Sequence, residues 1–203
     1  MTSILDTLIV QARATSWLEA VAVVLAVAYL LLAIRESIWC WLCAAVSTAM
    51  YFYLMLVARL YMEAALNAYY FAIAIYGWRV WLSGHTRDHE LPIAVWPMRV
   101  HAAALAAIAV AVVVTGYVLD TRTNEAMPYL DSLTTWAAIW ATFLVARKVL
   151  ENWWYWLVID SVSVFMYTSR GLELTALLFV AYVIMIPFGL IAWTRSRHEM
   201  LAA

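Results

Sequence analysis

Five residues in one short segment have types and spacing that could do chemistry. Asn152, Trp156, Asp160, Ser163 and Tyr167 recur at intervals of four, four, three and four inside an otherwise apolar run. On a helix, that spacing lines one face with an amide, a ring, a carboxylate, a hydroxyl and a second ring. Such a face suits recognition better than bond-breaking. Flat ring faces attract flat and cationic molecules, a carboxylate favours a positive charge beside it, and amides suit hydroxyls or a carboxamide. The implied ligand is flat, cationic and able to hydrogen-bond.

Other segments carry matching groups. "WCWLCAAVSTAMYFY" holds Trp41, Ser47, Thr48, Tyr51 and Tyr53; "LNAYYFAIAIYGW" holds Asn67, Tyr69, Tyr70 and Tyr76; "DSLTTW" holds Asp131, Thr134, Thr135 and Trp136. The candidate ligand contacts are Asn152, Trp156, Asp160, Asn67, Trp41, Thr48, Tyr51, Tyr70, Ser163 and Tyr167. Each also has a plainer reading. Mid-helix Ser and Thr commonly link helices, and Trp39, Trp78, Trp81, Trp153, Trp154 and Trp193 read as interfacial anchors. Asn152, following Arg147 and Lys148, reads equally as a helix N-cap. A different class of function would be an intramembrane enzyme using Asp131 and Asp160 as paired acid and base. Against it, the four His stand at 85, 89, 101 and 198, away from both carboxylates in the sequence.

The elements that must position these groups follow from composition. The chain has 203 residues, 67% hydrophobic and 12% charged, with a net charge of −1. Soluble domains carry about 25% charged residues, so this is an integral membrane protein, and the absence of a basic surplus argues against nucleic acid as a partner. Seven apolar spans are predicted, at 17–34, 38–57, 61–82, 99–119, 129–146, 153–169 and 172–194. They are helices, because lipid offers unpaired backbone amides no partner. Asp160 lies eight residues beyond Asn152, about 12 Å at helical rise. A lone carboxylate at that depth costs about 2.5–3.5 kcal/mol unless it faces a cavity or a partner.

Smaller motifs add little chemistry. Cys40 and Cys43 form a CxxC inside an apolar run, where a redox or metal role is not expected. His85 and His89 have helical metal-ligand spacing, but Gly84, Pro92 and Pro97 mark "SGHTRDHELPIAVWPMR" as a loop and no metal is expected there. No phosphate-cradling loop occurs, so neither a cofactor nor direct ATP drive is expected. "MTSILDTLIVQARAT" lacks a basic start and a cleavage site, and predicts no removable signal peptide.

The chain also repeats. "ESIWCW" (36–41) matches "ENWWYW" (151–156), and Leu60, Tyr70, Gly77 and Trp81 fall on Leu172, Tyr182, Gly189 and Trp193 at one offset. The repeat predicts a short N-terminal segment (1–16), a first three-helix bundle (17–82), a loop with a linker helix (83–128), a second three-helix bundle (129–194) and a tail (195–203). A single intervening helix makes the halves parallel. Arg13, Arg59, Arg122 and Arg170 fall on one side; Arg35, Arg79, Arg87, Arg99, Arg147, Lys148, Arg195 and Arg197 fall on the other. The excess places the second side in the cytoplasm, with the N-terminus outside and the C-terminus inside. A duplicated bundle suggests transport by alternating access. Gly77, Pro187 and Gly189 are then flex points or sites of close packing.

These segments resemble the Pnu family of vitamin transporters. The resemblance runs from Trp17 to Trp193 and rests on "WCWLCAAVSTAMYFY", "LYMEAALNAYYFAIAIYGW", "DSLTTWAAIWATFLVARKVLENWWYW" and the closing helix. It implies a fold like that of the SWEET sugar transporters, all-α with 3+1+3 helices, and a homotrimer in the bacterial cytoplasmic membrane. It also implies facilitated diffusion of a small vitamin, trapped afterwards by a cytoplasmic kinase. The family's substrate-contacting Asn and Trp, four residues apart, match Asn152 and Trp156. A position that is often Gln falls on Asn67, and Leu42 stands where many members have Pro. Family members carry nicotinamide riboside, and related branches are thought to carry thiamine or riboflavin. Asn67 and Asn152, as amide partners for ribose hydroxyls, favour the riboside.

Overall fold

The first of the described helices begins at a serine N-cap. Ser16 is extended (ψ 152°) and its hydroxyl accepts from the amide of Glu19 at 3.2 Å, which satisfies an otherwise orphaned helix donor. The computed structural model describes residues 16–57, 61–85, 91–123 and 126–202. Over these it has seven helices: α1 Trp17–Ile34, α2 Trp39–Val57, α3 Tyr61–His85, α4 Met98–Arg122, α5 Pro128–Ala146, α6 Asn152–Ser169 and α7 Glu173–Ala202. The starts agree with the sequence reading to within a residue. Three ends run on, α3 through Gly84 to His85, α4 to Arg122 and α7 to Ala202. His89 and the N-terminal residues 1–15 lie outside the described residues.

Four helices, α1, α2, α4 and α7, are long and apolar enough to cross a membrane. In α3, α5 and α6, Tyr, Trp and interior polar groups lower the mean hydropathy. Neighbouring helices run α1–α2–α3–α5–α6–α7 and back to α1. These six therefore close a ring. Outside it, α4 packs on α5, where Gly116 lets the Tyr129 ring approach: a Cβ there would sit 2.4 Å from it. Leu105, Val110, Val113 and Val118 of α4 point outward, a surface suited to acyl chains.

Two turns have the same construction. After α1, Glu36 adopts φ 55°, its amide donates to Ala33 O (3.0 Å), and the Ser37 amide donates to Leu32 O (2.9 Å). After α5, Lys148 adopts φ 49°, its amide donates to Val145 O (2.9 Å), and the Val149 amide donates to Leu144 O (2.9 Å). Both are Schellman closures, and positions 36 and 148 differ by 112. Gly77 and Gly189 differ by the same number. A Cβ on Gly77 would meet the Trp41 ring at 2.4 Å, and one on Gly189 the Trp153 ring at 2.2 Å. Trp41 therefore corresponds to Trp153, three residues away from the match suggested by "ESIWCW" and "ENWWYW". Both glycines serve close packing.

These rings form a tryptophan cluster at one end of the ring of helices. Trp41 meets Trp81 edge-on at 5.5 Å, Trp153 meets Trp193 edge-on at 5.4 Å, and Trp81 and Trp193 meet each other at 6.4 Å. The Trp81 indole donates to Ala146 O (3.2 Å) and the Trp193 indole to Ala33 O (3.0 Å). Trp81, Trp153 and Trp193 are thus buried core and not the interfacial anchors expected of them, because each indole has a glycine, a ring or a helix-end carbonyl to fill. Trp39 and Trp154 do stand exposed at the rim. The segment before α4 is pinned to the second turn, with the Ala94 amide donating to Lys148 O and the Leu150 amide to Ala94 O, each at 2.9 Å.

Candidate functional site

Helix α6 has two unlike faces. Trp154, Val158 and Phe165 project outward, each more than half exposed. Asn152, Asp160 and Ser163 are buried, and Trp156 and Tyr167 are half-buried. The polar stripe therefore turns into the ring of helices. A carboxylate at mid-helix has no solvation from lipid, and the ring interior is where Asp160 finds polar company.

Several predicted residues meet there. Trp156 and Tyr70 pack together against Ala137, Ala138 and Ala141 of α5 and Ile159 of α6. The small alanines leave room for the two large rings. Asp160, only 4% exposed, lies near Tyr70 of α3 and Tyr182 of α7. Tyr51 of α2 lies near Tyr167 and Tyr182. Tyr167 stacks on Phe179 at 5.2 Å, and Phe179 meets Tyr182 edge-on at 5.7 Å. Phenols of α3 and α7 thus stand near the Asp160 carboxyl, and further rings of α2, α6 and α7 adjoin Tyr182.

The other predicted residues stand apart. Trp41 belongs to the tryptophan cluster. The Thr48 hydroxyl donates to Ala44 O in its own helix (2.8 Å), and the Asn67 amide donates to Glu63 O in its own helix (2.8 Å). Tyr53 faces outward. Asn152 is not the N-cap; Glu151 holds that position without a capping bond, and Asn152 opens the helix. The Asn152 Nδ2 donates back to Val149 O (2.7 Å), and its fully buried Oδ1 has no protein partner. An orphaned buried acceptor costs about 1–3 kcal/mol, so this oxygen suits a water or ligand donor. Ser47, considered with the polar groups, links helices: its hydroxyl donates to Ala22 O at 2.9 Å.

Tyr182 and Phe179 were missed as site residues. The signal for Tyr182 was present, since it is the repeat counterpart of Tyr70. Asp131 stands in the first turn of α5, while Asp160 stands at the middle of α6. That difference in depth does not suit a paired acid and base. Cys40 and Cys43 are free thiols. Two cavities lie away from this interior. One of about 410 Å³ sits between α3, α4 and α5, lined by Tyr69, Ile108, Trp136 and Phe143. The other, of about 700 Å³, lies over Trp17, Val46, Met50 and Tyr53. None of the ten predicted contacts lines either cavity.

The two ends of the ring differ in charge. Glu19, Glu63, Asp131 and Glu173 occupy the first turns of α1, α3, α5 and α7. Arg35 and Arg147 close α1 and α5 at the opposite end. A multi-pass helical protein whose polar helix face turns inward, between ends of opposite charge, has the architecture of a membrane carrier for small molecules.

Comparison with known proteins agrees. The chain belongs to the nicotinamide mononucleotide transporter family, whose model matches residues 16–195. It is 25% identical to the nicotinamide riboside transporter PnuC of Escherichia coli (strain K12), covering 91% of this chain and 87% of that one. It is 27% identical to the riboflavin/roseoflavin transporter RibM of Streptomyces davaonensis, covering 90% and 87%. A crystal structure of the vitamin B3 transporter PnuC matches its fold with a TM-score of 0.71 at 23% identity, covering 96% of this chain and 90% of that chain. The chain is therefore a Pnu-type membrane transporter and not an enzyme.

Proposed function

We propose that this protein takes up nicotinamide riboside by facilitated diffusion. The observation that carries this reading is the inward stripe of α6, where Asp160 stands among Trp156, Tyr70 and Tyr182. A pyridinium ring is flat and permanently cationic, which suits ring faces and a nearby carboxylate. The acidic end would raise the local concentration of such a cation at the entrance. A mononucleotide would bring a phosphate dianion towards Asp160, and riboflavin is a neutral ring system, so both fit this interior less well. Thiamine is also a flat cation and is the necessary comparison. The ten predicted contacts are retained as the binding set, with Tyr182 added.

All seven helices cross the membrane in this reading. α1–α3 and α5–α7 form two parallel three-helix bundles, and α4 is the linker. The shared offset of 112 in turns, glycines and tryptophans supports it. The arginine-rich end faces the cytoplasm of a bacterial inner membrane, with the N-terminus outside. The bundles rock about the interior site. Following the family resemblance, the protein assembles as a homotrimer and relies on a cytoplasmic kinase to trap its cargo.

Proteoliposomes test the reading. Labelled nicotinamide riboside should equilibrate across the bilayer, chemically unchanged and indifferent to a pH gradient, while thiamine, riboflavin and the mononucleotide enter more slowly. Faster entry of thiamine or riboflavin would reassign the cargo. Failure of all four would reject vitamin transport.

A further inference from the structure

The turn that follows α5 contains a buried lysine. Lys148 is 1% exposed, and its ammonium lies 2.7 Å from Oε2 of Glu36, itself largely buried in the turn that follows α1. The same ammonium sits 4.8 Å above the Trp81 ring. Glu36 and Lys148 are repeat counterparts, so each half of the molecule contributes one charge, from the same backbone position, to a single pair across the axis relating the halves.

Their backbone makes the placement notable. Both residues hold left-handed φ values, which cost an ordinary residue about 1–3 kcal/mol. Glycine is the residue that meets this need without strain, and the chain uses it at the third such turn among the described residues, where Gly171 has φ 69° and the Leu172 amide donates to Tyr167 O at 2.9 Å. Glu36 and Lys148 therefore carry strain that a turn alone does not require. What they gain is each other. The pair lies over the tryptophan cluster, whose indoles cross in the same reciprocal way, Trp81 to the end of α5 and Trp193 to the end of α1.

We propose that Glu36 and Lys148 are the gate residues of the transport pathway at the arginine-rich end, and that their ion pair holds that end shut over the tryptophan cluster. This rests on the carrier reading above. Opening separates the two turns, breaks the pair and admits water to the tryptophans. A buried pair with one partner removed leaves an uncompensated charge, which ties opening to hydration of both charges together.

Cys40 reports on the gate independently of any cargo. It is fully buried beside Trp41 in the first turn of α2, just below the Glu36 turn. In a Cys43→Ala background, reconstituted protein is exposed to a charged, membrane-impermeant maleimide at the arginine-rich face. The parent should react slowly. Glu36→Gly with Lys148→Gly relaxes both turns and removes the pair, and its Cys40 should react at least tenfold faster. The exchanged pair, Glu36→Lys with Lys148→Glu, should return to slow labelling. Equal rates in the parent and the glycine variant would overturn the gate, as would fast labelling in the exchanged pair. Riboside uptake by the same proteoliposomes is read separately: a parent that carries no vitamin refutes the cargo reading, while the labelling result stands on its own.

Discussion

Replacing Gly189 by Ala puts one methyl group where the structure has no room for it. The new Cβ would lie 2.2 Å from Cη2 of Trp153 and 2.5 Å from two further ring atoms, against an ordinary contact of 3.4 Å or more. The ring must retreat by more than an ångström. It has nowhere to go, being 2% exposed and held edge-on against Trp193 at 5.4 Å. Overpacking of this kind costs about 1–3 kcal/mol. For a chain of this size each kcal/mol lowers the melting midpoint by about 2–4 °C, so the fall should be about 2–12 °C. Gly77→Ala, with its Cβ 2.4 Å from the Trp41 ring, should cost a similar amount. Both are measured by size-exclusion chromatography of heated, detergent-solubilised protein. Combining Gly189→Ala with Trp153→Phe removes the outer ring atoms that clash and should recover part of the loss. An unchanged midpoint for Gly189→Ala, or no recovery in the double variant, would refute the packing argument.

Two substitutions address the interior. Trp156→Ala should reduce riboside binding at least tenfold in a calorimetric titration while the protein still elutes as the parent does, since the ring is half-buried and lies over small alanines of α5; undiminished binding would remove Trp156 from the site. Asp160→Asn should weaken the cationic riboside by about 1–3 kcal/mol and a reduced, uncharged analogue by much less, and equal losses would make the aspartate structural.

The helices were legible because lipid demands long apolar runs, and charge clusters mark where those runs stop. The inward face of α6 was legible for a similar reason: polar residues at helical spacing inside such a run must turn away from acyl chains. The repeat between α3 and α7 could be read through Gly77 and Gly189, since the glycines mark the same contact. The α2–α6 register could not be read from "ESIWCW" and "ENWWYW". What is conserved between those turns is backbone shape, and the residues that adopt it, Glu36 and Lys148, have opposite charges. The burial of Trp81, Trp153 and Trp193 was hidden for a related reason, since a tryptophan near a helix end looks the same whether it faces headgroups or a neighbouring helix. The bonds that Thr48 and Asn67 make to their own helices could not be read either, because such a bond leaves no trace in the spacing.

The reciprocal indole bonds have a consequence for how such a chain could have arisen. Trp81 closes off a helix of the later half, and Trp193 closes off a helix of the earlier half. Each helix end is closed by its own Schellman turn and receives one further bond from the far half of the chain. A half-length forerunner would have gained that further bond only by pairing with a second copy of itself, and separately expressed halves of the present chain should be recovered together.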